Sequence, residues 1–270
     1  MNPGRANAAY GRCAVTGTSL RLQDKIVIIT GGARGIGAAF ARAVAGQGAI
    51  VAIADLLDGA PVVGEIEAAG GRAIYFRVDV ASEQSVNACV IDLVARYGRI
   101  DGLVNNAALF ANLKPKPFFE IEQDEFDKVM AVNVRGPFLL AKAVAPIMMA
   151  QKAGKIVNIA SGTVFKGHVG IMHYVTSKGA IVALTRCLAR ELGPYSINVN
   201  AIAPGLTMSE GVLANPDMVG APAQATLGSR AFKREQTPED LTGSLIYLLS
   251  SDSDFVTGHT VVCDGGSVMR

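Results

Sequence analysis

The stretch Thr30-Gly31-Gly32-Ala33-Arg34-Gly35-Ile36-Gly37 follows a β-branched apolar run at 25–29 and opens into a helical pattern at 36–47. Strand, glycine turn and helix in that order aim backbone N–H groups from a helix N-terminus, and residues without side chains let a pyrophosphate approach them. The spacing is GxxxGxG rather than GxGxxG, and glycine turns are common. By itself the motif leaves dinucleotide binding and a plain tight turn equally open. Its position inside a first βαβ unit favours binding, with Gly31, Arg34, Gly35, Ile36 and Gly37 as the cradle.

Outward from this turn, short β-branched runs at 49–54, 72–78, 102–105, 155–159, 197–202 and 260–263 alternate with helical patterns at 82–97, 123–150, 174–192 and 238–249. That alternation builds a parallel sheet covered by helices on both faces. The expected fold is therefore α/β: one Rossmann-type, doubly wound domain with a seven-stranded parallel sheet over 22–270. Gly136 and Pro137 should bend the 123–150 helix just after Asn133. Residues 206–232, rich in Gly, Pro, Ala and Met, read as a mobile substrate flap. Residues 1–21 read as a loose N-terminal extension; they lack the apolar centre of a secretory signal, and their acid-free composition with Arg5 and Arg12 leaves a transit peptide as the alternative.

The chain has 270 residues, half of them apolar, and a formal charge of +2 with no basic run. This excludes a nucleic-acid grip and an anionic-membrane surface, and points to a small-molecule partner. Cys13, Cys89, Cys187 and Cys263 lie far apart with no metal-ligand spacing, so no metal is expected and reduced thiols in a cytoplasmic protein are the plain reading.

The second strand ends at Asp55, near the offset at which a carboxylate hydrogen-bonds the ribose hydroxyls of NAD and repels the extra phosphate of NADP. Arg34 is the one feature that favours NADP. The strand at 155–159 delivers Ser161 to the carboxyl edge of the sheet, and Tyr174 and Lys178, four apart, share a helix face. A Tyr-x-x-x-Lys pair is weak evidence alone. Together with the glycine turn and Asp55, each at the proper end of its element, it is not easily a coincidence. His168 and His173 flank the pair, the first read as a loop residue and the second as facing another side of the helix.

These motifs, with Asp79-Val80, Asn105-Asn106-Ala107-Ala108, Asn133 and Pro204-Gly205, cover nearly the whole chain, which resembles the short-chain dehydrogenase/reductase family. The resemblance implies NAD bound by the cradle, Asp55 and its neighbour Leu56, with Asp79 and Val80 at the adenine. Asn106, Ala107 and Ala108 would line the groove, where the family's usual glycine is Ala108. Pro204 and Gly205 would lie beside the nicotinamide, with Ser209 or Thr207 for the carboxamide. It implies Tyr174 as general acid/base, its pKa lowered by Lys178, Ser161 on the substrate oxygen and Asn133 holding a relay water. Asn133 could instead simply satisfy groups freed by the helix bend.

The expected activity is oxidation of a small, mainly apolar or aromatic alcohol, with Leu109, Phe110, Val164, Phe165, Leu206 and Met208 as pocket candidates. The segment from Pro204 onward is similar to aryl-alcohol and pyridoxal-type dehydrogenases of the family. The competing readings are an NADP-dependent 3-oxoacyl thioester reductase and a non-catalytic NAD-binding protein. The resemblance also implies a homotetramer.

Overall fold

A computed structural model describes residues 20–269. The expectations for residues 1–19 lie outside the described residues. Leu22 is buried, and its N–H donates to Gln47 O at 3.0 Å.

Seven strands form one parallel sheet: β1 Ile26–Thr30, β2 Ile50–Asp55, β3 Arg72–Arg77, β4 Gly102–Asn105, β5 Gly154–Ile159, β6 Ile197–Pro204 and β7 Thr260–Cys263. Their order is β3-β2-β1-β4-β5-β6-β7, so the chain reverses direction of travel between β1 and β4. Ligands of open α/β sheets gather at the carboxyl ends of the strands beside such a switch point.

Side chains alternate across each strand, which divides the core in two. Ile26 and Ile28 face one cluster, with Leu93, Leu140 and Met148; Val27 and Ile29 face the other, with Phe40, Val44 and Leu248. The first is covered by α3 Glu83–Tyr97 together with the long helices of the 123–192 region, the second by α1 Gly35–Gly46 and α9 Thr242–Leu249. β1 and β6 are buried along their whole lengths because both faces are covered, and this is why they read as continuous apolar runs.

Three elements differ from the sequence expectation. Helix α2, Ala60–Ala68, did not register in the pattern, because only Val62 and Ile66 are buried along it and Gly64 interrupts the period. The 123–150 helix is realised as α4 Gln123–Met130, a π turn over Ala131–Arg135, and α5 Gly136–Gln151. Gly136 is needed at this junction, since a Cβ there would stand 3.0 Å from Val80 Cγ2. The 206–232 segment is partly helical, with α7 Glu210–Leu213 and α8 Ala221–Ser229 on either side of a turn. Between α5 and α7 lies α6, Met172–Leu192, which carries the tyrosine and lysine.

Candidate active site

Gly31 and Gly35 both adopt the left-handed backbone, φ +65° and +55°, which L side chains rarely take. A Cβ on Gly37 would overlap the Gly31 carbonyl oxygen, and one on Gly31 would reach 2.8 Å from Ala107 Cα. The turn is therefore a cradle that any side chain would fill. Its shape is held from β4: Asn106 Nδ2 donates to Thr30 O at 2.9 Å and Gly31 O at 3.1 Å, and Thr30 Oγ1 accepts from the N–H groups of Asn106 and Ala107, both at 3.0 Å. Helix α1 starts directly behind it with no side-chain cap and no acid in its first turn, which suits an incoming anion.

Asp55, at the end of β2, accepts from Ala33 N at 2.9 Å through Oδ2 and from Leu57 N at 3.0 Å through Oδ1. The carboxylate is thus tied to the glycine turn. Leu56 and Arg34 are exposed beside it, and Arg34 has no acidic partner among the described residues. Asp79 accepts from Ala81 N at 2.9 Å, and Val80 is buried against Gly136. The donor set fits a dinucleotide: free helix N–H groups for phosphates at one end, a fixed carboxylate for ribose hydroxyls at the other.

A cleft of ≈ 240 Å³ opens at the carboxyl ends of β4, β5 and β6. It gathers Ser161, Tyr174 and Lys178 with the cofactor-side candidates Ile36, Asn106, Ala108, Pro204, Gly205, Thr207 and Ser209. Thr207 is buried with Oγ1 donating to Gly205 O at 3.1 Å, while Ser209 approaches Gly35, so the two hydroxyls serve different ends of this wall. Of the apolar pocket candidates, Phe110 and Leu206 line the cleft. Val164 and Phe165 pack instead on the cluster of Ala160, Ile181 and Val182, Leu109 packs beneath Tyr174, and Met208 is not in the lining. Apolarity marked these residues as inward without saying toward which interior.

Tyr174 is buried, its ring 4.6 Å from that of Phe110. Burial pushes its pKa up to about 12, opposed by a hydrogen bond with Ser161. Lys178 is buried too; Nζ donates to Ile159 O at 2.7 Å, lies 5.8 Å from the Tyr174 ring centroid, and burial pushes its pKa down to about 8. In the polypeptide by itself desolvation dominates at the phenol, and the lowering expected from Lys178 acting with oxidised nicotinamide refers to the cofactor-bound enzyme. A bound oxidised nicotinamide supplies the hydride acceptor and a further positive charge.

Ser161 Oγ accepts from Thr163 Oγ1 at 2.9 Å and from Thr163 N at 3.3 Å, which fixes its rotamer at the end of β5. Asn133 is fully buried in the π turn; its Oδ1 accepts from Leu109 N at 2.8 Å, and Nδ2 donates to Leu109 O at 3.2 Å and Ser177 Oγ at 3.1 Å. Its side chain thus joins the loop after β4 to α6, bridging elements rather than patching its own helix. His173 is buried on another side of α6, 3.2 Å from Glu125 Oε1, and His168 is an exposed residue at the cleft rim.

Sequence reasoning missed Thr30 as the latch of the cradle, Ser177 and Thr163 as supports of Asn133 and Ser161, and Arg230, Lys166 and Asp264 in the cleft wall. The hydroxyl at the end of β1 was a usable signal for the first. Ser177 reaches Asn133 from 44 residues away, whereas Thr163 supports Ser161 from two residues on, inside a turn whose form the sequence pattern did not show. Among the described residues no group of three His, Cys, Asp or Glu gathers as a metal site, and no helix is long and apolar enough to cross a membrane.

A parallel sheet with its switch point beside a glycine cradle, and a Ser, Tyr and Lys set at the next strand ends, defines a nicotinamide-dependent oxidoreductase. The chain belongs to the short-chain dehydrogenase/reductase family: the family model described as enoyl-(acyl carrier protein) reductase matches residues 31–268. It is 40% identical to sorbitol dehydrogenase of Cereibacter sphaeroides, over 93% of this chain and 100% of that one. It is 34% identical to cyclopentanol dehydrogenase of Comamonas sp., over 91% and 98%. A solved Beutenbergia cavernae structure holding NADP at low occupancy is similar at TM-score 0.84 and 32% identity, covering 92% of this chain and 98% of that one. The protein is an alcohol oxidoreductase of this family, dependent on a nicotinamide cofactor.

Proposed function

We propose that the protein is an NAD-dependent dehydrogenase that interconverts a small, mainly apolar or aromatic alcohol and its carbonyl in the cytoplasm. The observation that carries the reading is the buried Ser161, Tyr174 and Lys178 set, opening on a cleft whose other wall holds Phe110, Ile171, Leu206, Val212 and Met218. Tyr174 takes the alcohol proton in oxidation and returns it in reduction. Ser161 orients the same oxygen. Lys178, fixed by Ile159 O, holds positive charge beside the phenol, and Asn133 keeps the loop after β4 in register with α6. NAD is favoured by Asp55, whose carboxylate is held in place by two backbone N–H groups while Arg34 has no such anchor.

A sugar-alcohol substrate is the second reading, supported by the hydroxyls of Thr163, Thr226 and Ser267 in the lining and by the sorbitol dehydrogenase relative. Exposed Phe138 on α5 and Met172 at the start of α6 support pairing of these helices between subunits of a homotetramer, which sedimentation tests.

The test is reduced-nicotinamide absorbance with NAD or NADP across aryl, cyclic, aliphatic and sugar alcohols, with Tyr174→Phe as control. NAD-linked signal on ring alcohols that Tyr174→Phe loses upholds the reading. Preference for NADP or for sugar alcohols replaces the corresponding half of it.

A further inference from the structure

Arg230 follows α8 and is 3% exposed, yet has no acidic partner among the described residues. Nη2 donates to Leu206 O at 2.5 Å and Nη1 to Arg234 O at 3.1 Å, while Nε is buried with no partner. Guanidinium has five N–H donors and does not deprotonate in proteins. Two neutral carbonyls orient it; Asp240 lies within reach of its field but, among the described residues, no carboxylate touches the guanidinium. Burying an unpaired charge is costly, so a buried arginine without a counter-ion is an incomplete arrangement.

The neighbouring carboxylates are already engaged. Asp264 accepts from the N–H groups of Gly266, Ser267 and Val268 at 3.0, 3.0 and 2.9 Å. Asp240 pairs with Arg234 through both oxygens, each at 2.6 Å. Asp217 is exposed where it meets the cleft. A second cation in the lining, the exposed Lys166, bonds among the described residues the hydroxyls of Ser229, at 3.3 Å, and Ser267.

The phosphates of a dinucleotide do not answer this charge. Arg230 packs on Gly265 just after β7, and β7 lies four strands from β1 and its glycine cradle. The Arg230 guanidinium is held at Leu206 O, on the wall after β6, rather than at the N–H groups of the Gly31–Gly37 turn.

We propose that the alcohol substrate carries a carboxylate, seated by Arg230 with Lys166, so that the enzyme acts on a hydroxy acid with an apolar body. This rests on the dehydrogenase reading and narrows its substrate class. A planar carboxylate matches the guanidinium fork, and the apolar wall then receives the carbon skeleton between that anchor and Tyr174.

The test uses the full chain with NAD and matched substrates: cyclohexanol, 3-hydroxycyclohexanecarboxylate, 3-hydroxycyclohexyl phosphate and sorbitol. The carboxylate member should show kcat/KM at least tenfold above cyclohexanol. Arg230→Gln should collapse that preference at least tenfold and Arg230→Lys should restore part of it. The preference is a ratio, so loss of folded protein cancels from it. Turnover of cyclohexanol or sorbitol at or above the carboxylate member overturns the proposal and leaves the dehydrogenase standing; preference for the phosphate member overturns the carboxylate assignment. Silence with every substrate would instead count against the dehydrogenase reading. Calorimetry with cyclohexanecarboxylate then still decides the anion site: saturable binding lost in Arg230→Gln supports it, and no binding to the wild type overturns it.

Discussion

Asp55→Asn keeps the side chain's shape and removes its charge, which makes it a sharp probe of cofactor choice. Asp55 accepts one N–H at each oxygen, from Ala33 and from Leu57. An amide has one accepting end, so one of these donors loses its partner, at about 1–3 kcal/mol of stability. A unit negative charge about 5 Å from the carboxylate is repelled by about 3 kcal/mol at an effective dielectric of about 20 and by just under 1 kcal/mol in bulk water. Asp55 is half-buried, so a value between the two, about 1.5 kcal/mol, applies to an added phosphate. A ribose hydroxyl bound to the charged acceptor loses about 1.5 kcal/mol when the acceptor becomes neutral. Both changes move the NADP/NAD ratio of kcat/KM the same way, together about 3 kcal/mol or a hundredfold. The ratio is measured by steady-state kinetics with one alcohol and both cofactors, and the fraction of folded enzyme cancels. A ratio unchanged within about threefold, under ~0.7 kcal/mol, would refute the assignment of selectivity to this carboxylate.

Tyr174→Phe removes the proton-transfer group and should lower kcat by about 10²–10⁴-fold while NADH binding, read by fluorescence, is retained; substantial residual kcat assigns the proton to another group. Gly37→Ala puts a methyl onto the Gly31 carbonyl oxygen, so dinucleotide affinity should fall at least about tenfold, or ~1.4 kcal/mol, in a titration with NADH. Lys178 has a folded pKa of about 8 against an ordinary 10.5, so between these values the unfolded chain binds more protons and stability climbs with pH. Below about pH 8 the full burial penalty, about 3 kcal/mol, is present. Lys178→Met lacks that group but strands the Ile159 carbonyl, at about 1–3 kcal/mol. Wild type and variant should therefore be similar at pH 7, with wild type gaining about 2 kcal/mol on the variant by about pH 9.5 in denaturant melts; a gap independent of pH refutes the burial of a charged lysine.

The sheet was legible because a parallel strand covered on both faces leaves a β-branched run, and every such run became a strand within a residue or two, as 102–105 became β4 and 155–159 became β5. The bend after Asn133 was legible from Gly136 and Pro137, although its form, a π turn, was not. Helix α2 was not, since two buried residues make no stripe. At the site, Ser161, Tyr174, Lys178 and the glycines were readable because each is fixed by position on one element. Their supports were less so: Ser177 acts through a bond that only the fold creates, Thr163 through a local turn with no sequence period, and only Thr30, at the end of β1, left a usable signal. The apolar residues Val164 and Phe165 were misplaced for a related reason, as a 3-10 turn at the end of β5 sends them into the sheet-side packing.

The same distinction separates chemistry from specificity. The reacting groups stand at strand ends and on α6, elements whose geometry the buried core dictates, and so a local motif suffices to find them. The cleft wall proposed to meet the substrate holds Leu206, Val212, Met218 and Arg230, all in the 206–232 segment, and Lys166 beyond β5. These residues have no common period and derive their direction from contacts such as Arg230 to Leu206 O and Thr207 to Gln236. A segment of this kind can alter its charge without disturbing the sheet, and relatives this similar bear names as different as sorbitol and cyclopentanol dehydrogenase. Fold and reaction class are thus fixed together by the core, whereas choice of the alcohol is proposed to rest on a handful of side chains that stand out only when charge and burial are set side by side, as at Arg230.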